Sequence, residues 1–153
     1  MRSTFSGFAP QAQTKLAIIK IKTFFSMCKY KMIMQTEANK QIAVKWFEAF
    51  NEHDLEKLLM LYDEEAEHYS PKLKVRLPET KGLIKGKHAL KAWWQDAFER
   101  LPSLSYEVLK LTADHEQVFM EYIRHVEGEE DLRVGKVLEI KKGLIVFSRV
   151  YHG

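Results

Sequence analysis

The stretch Leu104–His152, LSYEVLKLTADHEQVFMEYIRHVEGEEDLRVGKVLEIKKGLIVFSRVYH, decides the fold. It divides into four predicted strands: Leu104–Thr112, Glu116–Val126, Leu132–Lys141 and Gly143–His152. Between them lie Ala113-Asp114-His115, the acidic run Glu127-Gly128-Glu129-Glu130-Asp131, and Lys142-Gly143. A parallel crossover takes about a dozen residues or more, so strands joined by turns this short must pair antiparallel. In the second strand Val118, Met120, Tyr122, Arg124 and Val126 share one face, and Phe119, Glu121, Ile123 and His125 the other. In the last strand Ile145, Phe147, Arg149 and Tyr151 oppose Leu144, Val146, Ser148, Val150 and His152. Both faces carry apolar residues, so both are covered over part of their length. Arg124, Arg149 and Tyr151 interrupt the apolar pattern and are the first site candidates.

Working outward, the 153 residues suffice for one domain with a real core. With 46% apolar and 29% charged residues, the composition is that of a globular protein. The net charge of +3 conceals a division. Residues 1–36 hold six bases (Arg2, Lys15, Lys20, Lys22, Lys29 and Lys31) and no acid, which leaves 18 bases against 21 acids in the rest. The body is therefore mildly acidic, which argues against a nucleic-acid partner. Cys28 is the one cysteine, so neither a disulfide framework nor a cysteine-built zinc site can form within the chain. No pair of His or carboxylates has metal-ligand spacing, and no phosphate-binding glycine loop or nucleophile elbow occurs. No cofactor is expected.

Residues 1–33 admit three readings: a basic targeting or interfacial segment, a flexible tail, or an over-extended reading frame that properly begins at Met34 or Met32. The third is preferred, because Met34-Gln-Thr-Glu leads straight into a well-formed helix. Leu16–Met34 is apolar but broken by four lysines, too few apolar residues for the roughly 20 of a membrane span. No membrane partner is expected, and a cytoplasmic location is.

Glu37–Phe50 has a helical apolar stripe of Ile42, Trp46 and Phe50. Asp54 is placed to N-cap a second helix in which Leu55, Leu58, Leu59 and Tyr62 share a face. Ala66–Ser70 reads as a short strand stopped by Pro71, Lys72–Leu77 as an alternating edge strand, and 78–86 as a loop. His88–Leu101 is a third helix, with Leu90, Trp93, Trp94, Ala97 and Leu101 as its stripe. Helices followed by an antiparallel meander make an α+β fold, the strands curling around three N-terminal helices to bury Trp46, Trp93 and Trp94.

From about Asn39 onward the chain resembles the SnoaL-like branch of the nuclear transport factor 2-like superfamily. The resemblance rests on Lys45-Trp46-Phe47-Glu48-Ala49-Phe50-Asn51, His53-Asp54-Leu55, Ala66–Pro71, Gly86–Trp94, and Gly143-Leu144-Ile145-Val146 with Arg149-Val150-Tyr151. It implies a cystatin-like cone, a curved antiparallel sheet wrapped on helices with a pocket at its open end, and commonly a homodimer through the sheet. Ketosteroid isomerase-like members place an Asp before the Pro as base, and Ser70 stands there. Their first-helix Tyr corresponds to Trp46, and their further acid falls in Leu132–Lys141, near Arg133 and Lys136. That isomerase mechanism is therefore not expected.

Two functional readings follow. In the first, the domain binds a small, partly apolar ligand, anionic if the arginines anchor it. Trp46, Trp94 and Tyr122 would line the wall, and Arg124, Arg149 and Tyr151 would hold the polar end. In the second, it is a cofactor-free isomerase, cyclase or hydrolase in which His68 or Tyr69 does the proton work. Each candidate has a plainer structural role to set beside it: His68 as a strand residue, the arginines paired with Glu121 or Glu139 within the sheet, and the aromatics as core. The bases between Lys72 and Lys87 would rim the pocket mouth or form a solvated edge.

Overall fold

The computed structural model describes residues 10–152. Residues 1–9 of the basic N-terminal segment lie outside them. Contacts divide the chain into two units, residues 1–34 and 35–153. In the first, the chain is helical from Pro10, and residues 11–34 are all exposed. The helix expected to begin at Glu37 is thus the C-terminal part of α1, Pro10–Asn51. Among the described residues no helix is long and apolar enough to cross a membrane.

The second unit is α+β, as expected. After α1 come α2 (Leu55–Met60), β1 (Tyr62–Tyr69), α3 (Pro71–Arg76), a 3-10 turn (Pro78–Thr80), β2 (Leu83–Lys85) and α4 (Lys87–Arg100). Then follow β3 (Ser105–Ala113), β4 (Gln117–His125), β5 (Leu132–Lys141) and β6 (Leu144–His152). The curved sheet has the order β2-β1-β6-β5-β4-β3. The β3–β6 meander is antiparallel throughout, as short connectors require. The pair β1–β6 is parallel, which no local sequence signal announces. It is made possible by the helices and strands that intervene in the chain.

The core lies between the helices and the concave face of the sheet. From α1 it takes Ala43, Trp46, Phe47 and Phe50, and from α4 Leu90 and Trp94. The strands supply Tyr62, Val118, Met120, Leu138 and Ile145. Asp54 caps α2 as expected, its carboxylate accepting the Lys57 amide at 2.9 Å.

Three local expectations are corrected. Tyr62 is not the last residue of α2 but the first of β1, and it is fully buried. Lys72–Leu77 is not an edge strand. Ser70 accepts the Lys72 amide at 3.2 Å, and Pro71 occupies the first turn with its torsion already helical. The alternation of bases and apolar residues there reflects a one-turn helix with Leu73 inward. The segment 78–86, read as a loop, contains the 3-10 turn and β2. Gly82 in it has φ +90°, and a Cβ there would stand 2.9 Å from the Tyr69 ring.

Register matters most in β6. Opposite Glu139 and Ile140 of β5 stand Phe147 and Ile145, so Val146 is an extra, bulged residue. Ile145 points to the core below the bulge, whereas above it Ser148 and Val150 do. The bulge therefore reverses the alternation, and Arg149 and Tyr151 fall on the outer face although they match Ile145 in sequence parity.

Asn39, fully buried on α1, donates to the Asp114 carbonyl at 3.0 Å and ties the helix to the β3–β4 turn. Asn39→Leu leaves that carbonyl without its donor. We expect a loss of about 1–3 kcal/mol in urea unfolding. An unchanged midpoint would show that the tie is dispensable.

Candidate functional site

The curvature of the sheet leaves a cavity of about 390 Å³ between its concave face and the helices. Aromatic side chains form its walls: Trp46 and Phe50 from α1, Trp93 and Trp94 from α4, Tyr106 from β3 and Tyr122 from β4. Trp46 is central to them. Its ring stacks on Phe50 at 4.9 Å and lies parallel to Tyr106 at 5.7 Å.

A chain of polar atoms runs along one wall. Trp46 Nε1–H donates to Tyr62 Oη at 3.0 Å, and Tyr62 Oη donates to Ser148 Oγ at 3.5 Å. Ser148 Oγ lies 2.7 Å from His68 Nδ1. Indole nitrogen can only donate, which directs the first link of the chain from Trp46 to Tyr62. Burial depresses the His68 pKa well below the ordinary value, so His68 is neutral. Burial likewise pushes up the phenols of Tyr62, Tyr106 and Tyr122, which stay protonated.

Lys136, on β5, reaches the same space. Its Nζ stands 3.9 Å above the Trp46 ring, and the residue is 2% exposed. No carboxylate faces it. Nζ has no hydrogen-bond partner, and no fully enclosed side-chain N or O among the described residues is left unpaired, so Nζ opens on the cavity. Two effects compete over its charge. The indole face favours the cation by about 2 kcal/mol or more in a desolvated setting. Removing an ammonium from water without a counter-ion costs several kcal/mol. Burial wins, and the Lys136 pKa lies well below the ordinary 10.5.

The mouth is basic. Arg124, 6% exposed, donates to Glu129 at 2.6 Å, and this bond holds the Glu129 carboxyl below its usual range. Arg76 and Arg100 share Asp96, at 3.4 and 2.8 Å. Lys72 completes the cluster; burial, and then Arg124, lower its pKa. His152 is depressed by burial, then by Lys72 and Arg124. Four cations thus share two carboxylates. Among the described residues no group of three or more His, Cys, Asp or Glu is placed to hold a metal ion.

Of the residues nominated from sequence, Trp46, Trp94, Tyr122, Arg124 and His68 line the cavity. Tyr69, Arg149 and Tyr151 do not. Tyr69 alternates outward from His68, and the Arg149 guanidinium lies over the Tyr69 and Phe147 rings at 5.5 and 5.1 Å on the convex face. Neither Glu121 nor Glu139 pairs with Arg149; Glu121 binds Arg133 at 2.6 Å. Sequence reasoning did not nominate Lys136 or Ser148. The inward alternation Val134, Lys136, Leu138 in β5 contains the signal for the first. The second is hidden by the bulge.

Residues 43–148 match the family model described as a SnoaL-like domain. Among solved structures, a SnoaL-like protein of unknown function from Burkholderia thailandensis is 24% identical with a TM-score of 0.70, covering 76% of this chain and 95% of its own. A protein from Kribbella flavida, named provisionally as a ketosteroid isomerase, is 23% identical at 0.63, covering 77% and 79%. One from Sinorhizobium meliloti, named provisionally as a polyketide cyclase, is 18% identical at 0.62, covering 72% and 94%. Comparison with curated proteins gives no match.

The depressed pKa of Lys136 has a thermodynamic consequence. Between its folded pKa and 10.5 the unfolded chain binds the extra proton, so stability rises with pH across that window. Lys136→Met removes this dependence. The variant should gain stability relative to wild type below the ordinary lysine range, and the gap should narrow, by up to about 1.4 kcal/mol per pH unit, as the pH rises toward that range. A gap independent of pH in urea unfolding would mean that the buried lysine is charged.

Proposed function

The chain belongs to the SnoaL-like domain family, and from that premise we propose that its cavity binds a small, flat, partly apolar molecule carrying an anionic group. The observation that carries this reading is the basic mouth over an aromatic interior, where four cations share two carboxylates. Aromatic walls suit a planar ring system. Arg124 commits one nitrogen to Glu129 and keeps further N–H donors for an incoming carboxylate or phosphate.

A cofactor-free isomerase, cyclase or hydrolase is the second reading, favoured by the hydrogen-bonded chain from Trp46 through Tyr62 and Ser148 to His68. It has less support. Glu129 is the one carboxylate among the described lining residues, and it is held by Arg124. His68 has Nδ1 engaged by Ser148 and a pKa that burial holds well below the ordinary value, which makes it a weak base.

The convex face exposes the apolar rings of Phe119 and Tyr151. We propose that a second copy of the chain covers it, since an apolar patch of this kind on a sheet face marks an association site. Sedimentation at micromolar concentration should give twice the mass of one chain; a monomer would exclude the dimer.

The ligand reading is tested with 4-methylbenzoate, titrated calorimetrically. Arg124→Gln should weaken its binding roughly tenfold to a hundredfold, the worth of about 1.5–3 kcal/mol for a charge-assisted pair. Arg149→Met should leave binding unchanged, because Arg149 sits on the other side of the sheet. Equal losses in both variants, or none in Arg124→Gln, would refute the assignment.

A further inference from the structure

The proposed binding role makes no use of the Lys136 amine, and its setting is unusual for a lysine. A lysine at an ordinary surface position is solvated and paired with carboxylates. Lys136 is enclosed by Trp46 and the inner sheet face, faces no acid, donates no hydrogen bond, and turns Nζ to the cavity. Retaining an amine there disfavours folding by comparison with an apolar residue of its size. A plain wall would be better built from methionine or leucine. What a lysine adds in such a place is a nitrogen lone pair.

We propose that Lys136 captures the carbonyl carbon of an aldehyde or ketone ligand as a Schiff base, while the ligand's anionic group is held at Arg124. The inference rests on the anionic-ligand reading for the position of the ligand, but the amine chemistry can be tested apart from it. The Nζ lone pair attacks the carbonyl carbon, a C–N bond forms, and the C=O π pair moves to oxygen. The two amine hydrogens then leave with that oxygen as water, and the nitrogen lone pair closes the C=N bond. Amine and carbonyl go in, imine and water come out, and nothing is oxidised or reduced.

The geometry is suited to a ligand with two ends. Arg124 faces Leu132 across the β4–β5 ladder, and Lys136 lies four residues farther along β5, about 13 Å at the rise of a strand. Arg124 is at the mouth beside Lys72, whereas Lys136 is set deeper, against Trp46. The aromatic walls fill the interval. The His68 imidazole lines the same cavity.

The test uses the full chain and 4-carboxybenzaldehyde, which carries an aldehyde and a carboxylate on opposite ends of one ring. After incubation at about pH 7 the imine is fixed with sodium borohydride and the modified lysine is located by peptide mass mapping. The expected result is one fast adduct per chain at Lys136, formed at least about tenfold faster than at any other lysine. Between about pH 9 and pH 7 its rate should fall less than about tenfold, against about a hundredfold for a solvated lysine. Benzaldehyde, without the carboxylate, should label Lys136 at least about tenfold more slowly.

Labelling spread over surface lysines, with Lys136 unmodified, would overturn the proposal. If 4-methylbenzoate still binds in that case, the anionic-ligand reading survives it. Fast labelling of Lys136 by both aldehydes at equal rates would support the amine and sink the anionic anchor instead. Lys136→Met, checked for its fold by circular dichroism, should lose the fast adduct. The mapping on wild-type protein decides the matter even if that variant does not fold.

Discussion

Trp46 is the constraint on which the interior depends. Its indole ring has two kinds of surface, and the fold uses both. The N–H edge must donate when buried, and it gives its hydrogen to Tyr62, the head of a chain that runs through Ser148 to His68. The ring face packs Phe50 and Tyr106 and supports the Lys136 amine. A residue contributed by the first helix is thus linked to a β1 histidine and shapes the setting of a β5 lysine. Losing the indole would leave a buried phenol, hydroxyl and imidazole to re-pair at once, which is why this position links fold and site.

The cavity is a consequence of curvature. A sheet whose β6 strand carries a bulge bends more strongly there, and the bend opens space that α4 does not fill. The same bulge sorts the last strand, sending Ser148, Val150 and His152 inward and Arg149 and Tyr151 outward. One inserted residue therefore decides which of two arginine positions can meet a ligand. Arg124, on an unbulged stretch of β4, keeps the parity of Val118, Met120 and Tyr122 and arrives at the mouth.

That contrast explains how much could be read from residues alone. The meander, the cap at Asp54, the α4 stripe and the division of β4 into two faces follow from local periodicity and short connectors, and the structure has all of them, whereas which β4 face turns inward is set by the helices it packs on. Tyr62 was misread because helical spacing from Leu55 continues into it by accident, while its burial comes from parallel pairing with Ile145. Lys72–Leu77 alternates like a strand, but Ser70-Pro71 starts a turn of helix there. Arg149 and Tyr151 were nominated because polar residues in an apolar strand draw notice, and nothing local reveals the bulge at Val146. Lys136 was noticed only as a departure from the isomerase pattern. Its significance comes from the partners it lacks, a property of three-dimensional surroundings that spacing cannot show.

A buried amine beneath an aromatic lid, with no acid beside it, is central to this interior, and its titration can be observed directly. Following the side-chain carbon and hydrogen resonances of Lys136 by NMR through a pH titration of the ligand-free protein reports it. The expected result is a Lys136 that titrates well below the ordinary lysine range. A Lys136 that stays protonated until the pH approaches the ordinary lysine range would contradict it.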